Sequence, residues 1–206
     1  MSLLACCIVL EDGASKFPAN GILSSRIELV RDSGLIALCS EMERSSISTK
    51  NFREAALESH RLVQAMLAQK AVVPFRFPTW LDAEEMKSHL REESARYRDF
   101  LIKHADHVQM EVRVATQEIA IQKETSGAEH LRARAAQLRK VNEQASEIRN
   151  LVADNALEWR EQETPEGVRL YALISRKSIE GFREKLERTL MRVTGPWPAT
   201  EFLNQR

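Results

Sequence analysis

Glycine is scarce in this chain, 7 of 206 residues. Nowhere do its glycines form the rich loop that cradles a phosphate or a dinucleotide. A GxSxG elbow, an HExxH helix and an acidic DxDxDG calcium loop are missing too, so the common hydrolase, metalloprotease and EF-hand readings have no motif to stand on. Cysteine is limited to Cys6, Cys7 and Cys39, with no CxxC or other metal-binding spacing. These read as small apolar residues of a reducing compartment. Net charge is absent as well: Lys plus Arg and Asp plus Glu each number 30. That balance argues against a broad nucleic-acid surface, which needs a basic excess, and leaves little repulsion to oppose association. Long hydrophobic runs are also lacking. Leu3 to Leu10 is far short of the ~20 apolar residues that span a bilayer. It has no basic leader and runs straight into Glu11-Asp12, unlike a secretory signal. A soluble, cytoplasmic protein is the expectation, with no membrane and no nucleic acid among its partners.

The five histidines, His60, His89, His104, His107 and His130, are scattered. The pair His104 and His107 straddles a helix end with no third ligand near it, so no metal and no cofactor is expected. No catalytic constellation emerges.

What is present is ordinary globular composition, 29% charged and 43% apolar, enough for one large domain or two small ones. The chain is organised around Ala71-Val72-Val73-Pro74-Phe75-Arg76-Phe77. This stretch is short, apolar and β-prone, with one arginine where charge is otherwise excluded. It reads as a strand in which Pro74 marks an edge position or a bulge, since proline cannot donate to the ladder. Arg76 is then expected to be paired and substantially buried, because an unpaired buried charge is costly.

In chain order, Leu3 to Leu10 reads as a central strand. A loop follows through Asp12-Gly13 and Pro18-Ala19-Asn20-Gly21. Arg26 to Val30 and Leu35 to Cys39 form a hairpin about Asp32-Ser33-Gly34. Asn51 and Glu54 open a helix whose apolar stripe is Phe52, Ala56, His60, Val63 and Leu67. His60 on that stripe is expected to be a packed, hydrogen-bonded histidine, with a ligand or switch role as the alternative. Asp82 and Glu85 cap a helix running to about Ala105. Val108, Met110, Val112 and Val114 alternate with polar residues as a strand with one buried face. Ser126 and Glu129 suggest a capping box for a long helix, Gly127 to Asn155. Its stripe is Leu131, Ala135, Leu138, Val141, Ala145, Ile148 and Val152. That stripe suits a sheet at one end and a partner helix at the other, by burial in its own domain or by self-association. Leu157 to Glu161 and Val168 to Ile174 make a hairpin about Thr164-Pro165-Glu166-Gly167. A helix at Ser178 to Arg188 and a strand at Leu190 to Thr194 follow, then a rigid aromatic tail from Gly195 to Phe202.

From residue 107 the order is strand, helix, strand, strand, helix, strand, the split βαβ arrangement of ferredoxin-like folds, with helices on one face of an antiparallel sheet. Residues 3–77 repeat it without the first helix. The predicted fold is therefore α+β, with two ferredoxin-like halves. The expected organisation is an N-terminal domain 1–81, a connecting helix 82–106, and a C-terminal domain 107–206 ending in the tail. By periodicity and composition alone this is a binding module. A ligand-sensing or enzymatic protein with a cleft between the halves near His60 and Arg76 is the alternative.

Val72-Val73-Pro74-Phe75-Arg76-Phe77, with the His60 helix before it and an acidic helix start after it, resembles the vlPfRFG region of the gas vesicle accessory proteins GvpF and GvpL. Thr194-Gly195-Pro196-Trp197-Pro198 with Phe202 is similar to that family's closing tGPWPPYsF, and Gly127 to Arg139 resembles the stretch ahead of its long helix. The family's glycine after the RF pair is Pro78 here, and its closing PPYSF is Pro198-Ala199-Thr200-Glu201-Phe202. The resemblance implies a non-enzymatic, gas vesicle-associated role in vesicle formation. Its implied partners are the small hydrophobic shell subunit and other gas vesicle accessory proteins. On that view His60, Pro74, Phe75, Arg76, Phe77, Gly195, Pro196, Trp197 and Phe202 are candidates for a structural or partner-binding role. The long helix 127–155 is a candidate for self-association. The tail is expected to pack back on the body, with Trp197 buried there and Phe202 left open to a partner.

Overall fold

The computed structural model describes residues 2–13, 16–115, 127–164, 167–187, 189 and 191–203. These form two compact units: Met1–Asp106 with Trp197–Gln205, and His107–Pro196 with Arg206.

The first unit is built on a four-stranded antiparallel sheet of β1 (Leu3–Leu10), β2 (Arg26–Asp32), β3 (Leu35–Glu41) and β4 (Val73–Leu81), in the order β2-β3-β1-β4. That is the ferredoxin-like strand order the pattern predicts. β1 is buried at every position from Leu3 to Val9, so both of its faces are covered. α1 (Phe52–Leu67) packs on β1 and β4. α2 (Ala83–Glu92) packs on β2 and β3, and α3 (Ser94–Lys103) on β1.

The helix absent from this half is replaced by a loop pinned at several points. Ile22 is fully buried, and its N–H donates to Ser40 Oγ at 2.9 Å. The N–H of Leu23 donates to the carboxylate of Glu58 on α1. Gln69 exchanges two hydrogen bonds with the backbone of Lys16, at 3.1 and 2.9 Å.

The single helix expected over 82–106 is two helices meeting at Glu93. Its start is as read: Asp82 accepts from the N–H groups of Glu84 and Glu85, and Glu85 accepts from that of Asp82, a complete capping box. Asn51, by contrast, caps nothing in α1. Its side chain turns back to the N–H of Ser48 and the carbonyl of Ser46, at 2.7 and 2.8 Å.

The second unit repeats the strand order. β5 (His107–Ala115), β6 (Ala156–Thr164), β7 (Gly167–Ser175) and β8 (Arg192–Trp197) lie as β6-β7-β5-β8. On β5 the residues Val108, Met110, Val112 and Val114 are buried while Glu111 and Arg113 are half exposed, the alternation read from the sequence, except that Gln109 at the start of the polar face is buried too. α4 (Gly127–Leu151) packs on β5 and β7 and contacts α5 (Ile179–Glu187). β8 runs through Pro196 to Trp197 instead of stopping at Thr194. It can do so because it is an edge strand, where a missing donor costs no ladder bond. Ser126 of the expected α4 capping box, the turn residues Pro165 and Glu166, and the expected ends Arg188 and Leu190 lie outside the described residues.

Candidate functional site

The organising stretch sits on β4, at the edge of the first sheet. Its partner β1 pairs Cys7 with Pro74 and Ala5 with Thr79. A single β1 residue, Cys6, therefore stands opposite four β4 residues, Phe75 to Pro78. Cys6 is also the extra residue against β3, where Ala5 pairs with Cys39 and Cys7 with Leu38. The bulge swings Phe75, Arg76 and Phe77 out of the ladder, as bulges on edge strands do.

Helices on either side hold the bulge. The ring of Phe77 meets that of Phe52 on α1 edge to face, 5.3 Å between centroids. The ring of Phe75 lies 5.6 Å from His89 on α2. His89 Nε2 is in turn 3.1 Å from the Tyr97 hydroxyl of α3. Burial, with Glu93 nearby, raises the Tyr97 pKa against the opposing effect of Arg96. Within the bulge, the Thr79 hydroxyl donates to the Arg76 carbonyl.

Arg76 itself is exposed, and among the described residues no ion pair engages its guanidinium. This overturns the expectation of a paired, buried arginine. That expectation assumed a regular ladder, whereas the bulge carries residue 76 away from it. Pro74 is half-buried at the edge, as read.

His60 is exposed as well, so it is not on the buried face of α1. The buried residues are Ala55, Ser59, Leu62, Val63, Met66 and Leu67: Val63 and Leu67 are as predicted, whereas at the N-terminal end the stripe is offset by one residue from Ala56 and His60. The offset leaves Phe52 on the surface at 45% exposure beside Leu57 at 49%. The ring of His60 instead lies 5.4 Å from that of Trp197. Trp197 is half-buried, while Phe202 is buried at 4%. The tail does pack on the body, Trp197 less fully than expected, and Phe202, expected to stay open to a partner, is the more buried of the two. Gly195 adopts φ +122, its carbonyl accepts from Arg183, and Pro196 follows it on β8.

Beneath α1 lies a polar pocket of the core that sequence reasoning did not find. Ser40 and Ser59 are both buried, and both hydrogen-bond the Cys6 thiol. Burial pushes Cys6 up to about 11 and Cys39 up to about 12. Cys7 is pushed well up by burial and then by its two thiol neighbours. At such values the thiolate is scarce and nucleophilic chemistry is suppressed. Among the described residues no group of three or more His, Cys, Asp and Glu is placed to hold a metal ion, and no helix is long and apolar enough to cross a membrane. A shallow depression of ≈ 500 Å³ on α4 is lined by Arg139, Asn142, Glu143, Ser146 and Glu147, with no convergent catalytic set.

Residues 3–166 match the model of the family described as gas vesicle synthesis protein GvpL/GvpF. The chain belongs to the GvpL/GvpF family. Solved structures agree with the family's fold. The crystal structure of the gas vesicle protein GvpF from Anabaena sp. PCC7120 is similar with a TM-score of 0.78 at 14% identity, over 100% of this chain and 96% of that one. The crystal structure of GvpF from Microcystis aeruginosa gives a TM-score of 0.78 at 14% identity, over 100% of this chain and 99% of that one. A search of curated protein sequences finds no match. At such low identity the structural likeness speaks to fold. Membership in GvpL/GvpF supports a role among the gas vesicle proteins.

Proposed function

We propose that the chain is a non-enzymatic, cytoplasmic accessory protein of gas vesicle formation that binds the small hydrophobic shell subunit and assists its assembly. The observation that supports this reading most is the pairing of exposed apolar side chains on α1, beside the half-buried Phe77, with a broken strand edge in the first unit. A partner for an aggregation-prone subunit must offer apolar surface without offering a continuous β-edge to polymerise on. Phe52, Leu57 and Phe77 supply the surface, and the Phe75–Pro78 bulge interrupts the edge. The test is co-expression with the shell subunit followed by pull-down. Capture of shell protein that is insoluble on its own is the expected result. Shell protein that stays equally insoluble and unbound with or without this chain overturns the reading.

A second contact, self-association through α4, which ends at Leu151 and not at the expected Asn155, is part of the same proposal, alongside contacts with other accessory proteins. Val141, Ala145, Ile148 and Val152 are buried, whereas Leu131 at 68% and Leu138 at 41% are exposed. The stripe is used at one end and open at the other.

A further inference from the structure

The exposed flank of α1 and the β4 bulge share a charge asymmetry. Helical residues turn by about 100° each, so Phe52, Arg53, Ala56, Leu57 and His60 project from one side of α1 and Glu54 and Glu58 from the other. The contacts fix which side is which. Phe52 meets Phe77 and His60 meets Trp197, whereas Glu58 reaches the N–H of Leu23 on the opposite flank. The side of α1 facing the bulge thus carries apolar groups and the exposed cation Arg53, with both α1 carboxylates turned away, and the bulge itself carries the exposed Arg76. Among the described residues no ion pair neutralises either arginine. Nor is Arg76 a loosely held charge: the aromatic neighbours of α1 and α2 clamp the residues on both sides of it. A guanidinium presented from a rigid backbone loses little order on pairing with a carboxylate.

We propose that this face docks an amphipathic polypeptide segment whose apolar side chains are interspersed with carboxylates. The apolar groups rest on Phe52, Leu57 and Phe77, and the carboxylates pair with Arg53 and Arg76. The reading above enters only for the natural partner, the shell subunit; the surface and the sign of its charge stand on the geometry.

The test uses the full chain and two labelled amphipathic peptides of one length, one of leucine and glutamate and one of leucine and lysine, followed by fluorescence anisotropy. The wild type is expected to prefer the glutamate peptide by on the order of tenfold or more, with the preference shrinking in high salt. The double variant R53E/R76E, altered only at exposed positions, is expected to keep its melting temperature and to reverse the preference. Phe77→Ala should weaken binding without reversing it. Equal binding of both peptides by the wild type, or a double variant that behaves like the wild type, overturns the proposal. Pull-down of the shell subunit separates the two readings. A wild type that binds the glutamate peptide but captures no shell protein sinks the assembly reading and supports the surface. Undiminished shell capture by R53E/R76E shows that the subunit docks elsewhere and overturns the surface as its site.

Discussion

A Cβ placed on Gly195 would stand 2.9 Å from the carbonyl oxygen of Gln109. It would also lie 2.9 Å from Met110 Sδ, and the residue holds φ +122, a region side chains rarely enter. Gly195→Ala is therefore expected to cost about 1–3 kcal/mol through strain alone. By calorimetry the midpoint should fall by about 2–4 °C for each kcal/mol lost in a chain of this size. An unchanged midpoint would mean that β8 shifts freely away from β5.

Ser40 is predicted to be a sensitive position of the first core. Its hydroxyl is the acceptor for the buried Ile22 N–H, and Ser40→Ala leaves that donor with nothing to bond, for about 1–3 kcal/mol. Gly21→Ala attacks the same contact from the other side, since its Cβ would meet Ser40 Oγ at 2.5 Å. The two losses should add to less than their sum, because each removes the same hydrogen bond. Additive losses in a denaturant double-mutant cycle would separate the sites.

The helix starts Asp82 and Asn51 look alike in sequence and should behave differently. Asp82→Ala removes a working cap and should cost about 0.5–2 kcal/mol. Asn51→Ala removes only ties to the preceding turn and should cost less. Urea midpoints of the two variants check this, and a larger loss at Asn51 would contradict it.

The thiols make a pH prediction. Their folded pKa values lie above the ordinary 9.0, about 11 for Cys6 and about 12 for Cys39. Between pH 9 and 11 the unfolded chain releases thiol protons that the folded chain retains, so stability falls as pH rises through that window. Below it the contribution is intact. Thiol reagents at neutral pH should label the native protein slowly and the urea-unfolded protein at once. Fast native labelling would show that the first core opens readily.

Self-association is tested on α4. Leu131→Glu and Leu138→Glu alter exposed residues and should leave the melting temperature unchanged while dissociating any dimer seen by sedimentation. Ile148→Ala, in the buried half, should cost about 2–5 kcal/mol. A wild type that sediments as a monomer at high concentration removes the proposal.

Element order and strand order were legible because the continuous apolar run of β1, the period-2 pattern of β5 and the period-3.6 patterns of α1 and α4 are strong. Pro74 announced an edge strand for the same reason that Pro196 is tolerated on β8. The fate of Arg76 was not legible. A ladder and a four-residue bulge share the same local composition, and the difference shows only in the pairing with β1, about seventy residues earlier in the chain, where Cys6 stands opposite the bulge. The one-residue rotation of α1, which exposed His60 and Phe52, escaped too. Ser59 and Ala55 are small or polar and gave no apolar signal, yet both are buried, Ser59 beside the Cys6 thiol. The burial of Phe202 was not legible either, because size favours tryptophan as an anchor, yet Trp197 is only half-buried.

Residues 197–205 belong to the first unit, although ninety residues of the second are translated between them and Asp106. A nascent chain that has released its first hundred residues from the ribosome can therefore assemble the sheet β2-β3-β1-β4 but lacks Phe202. The second unit must emerge before the first is complete. Any chaperone surveying this protein during synthesis meets a first unit that lacks Phe202 until that residue arrives, and a translation product stalled before residue 197 lacks it permanently.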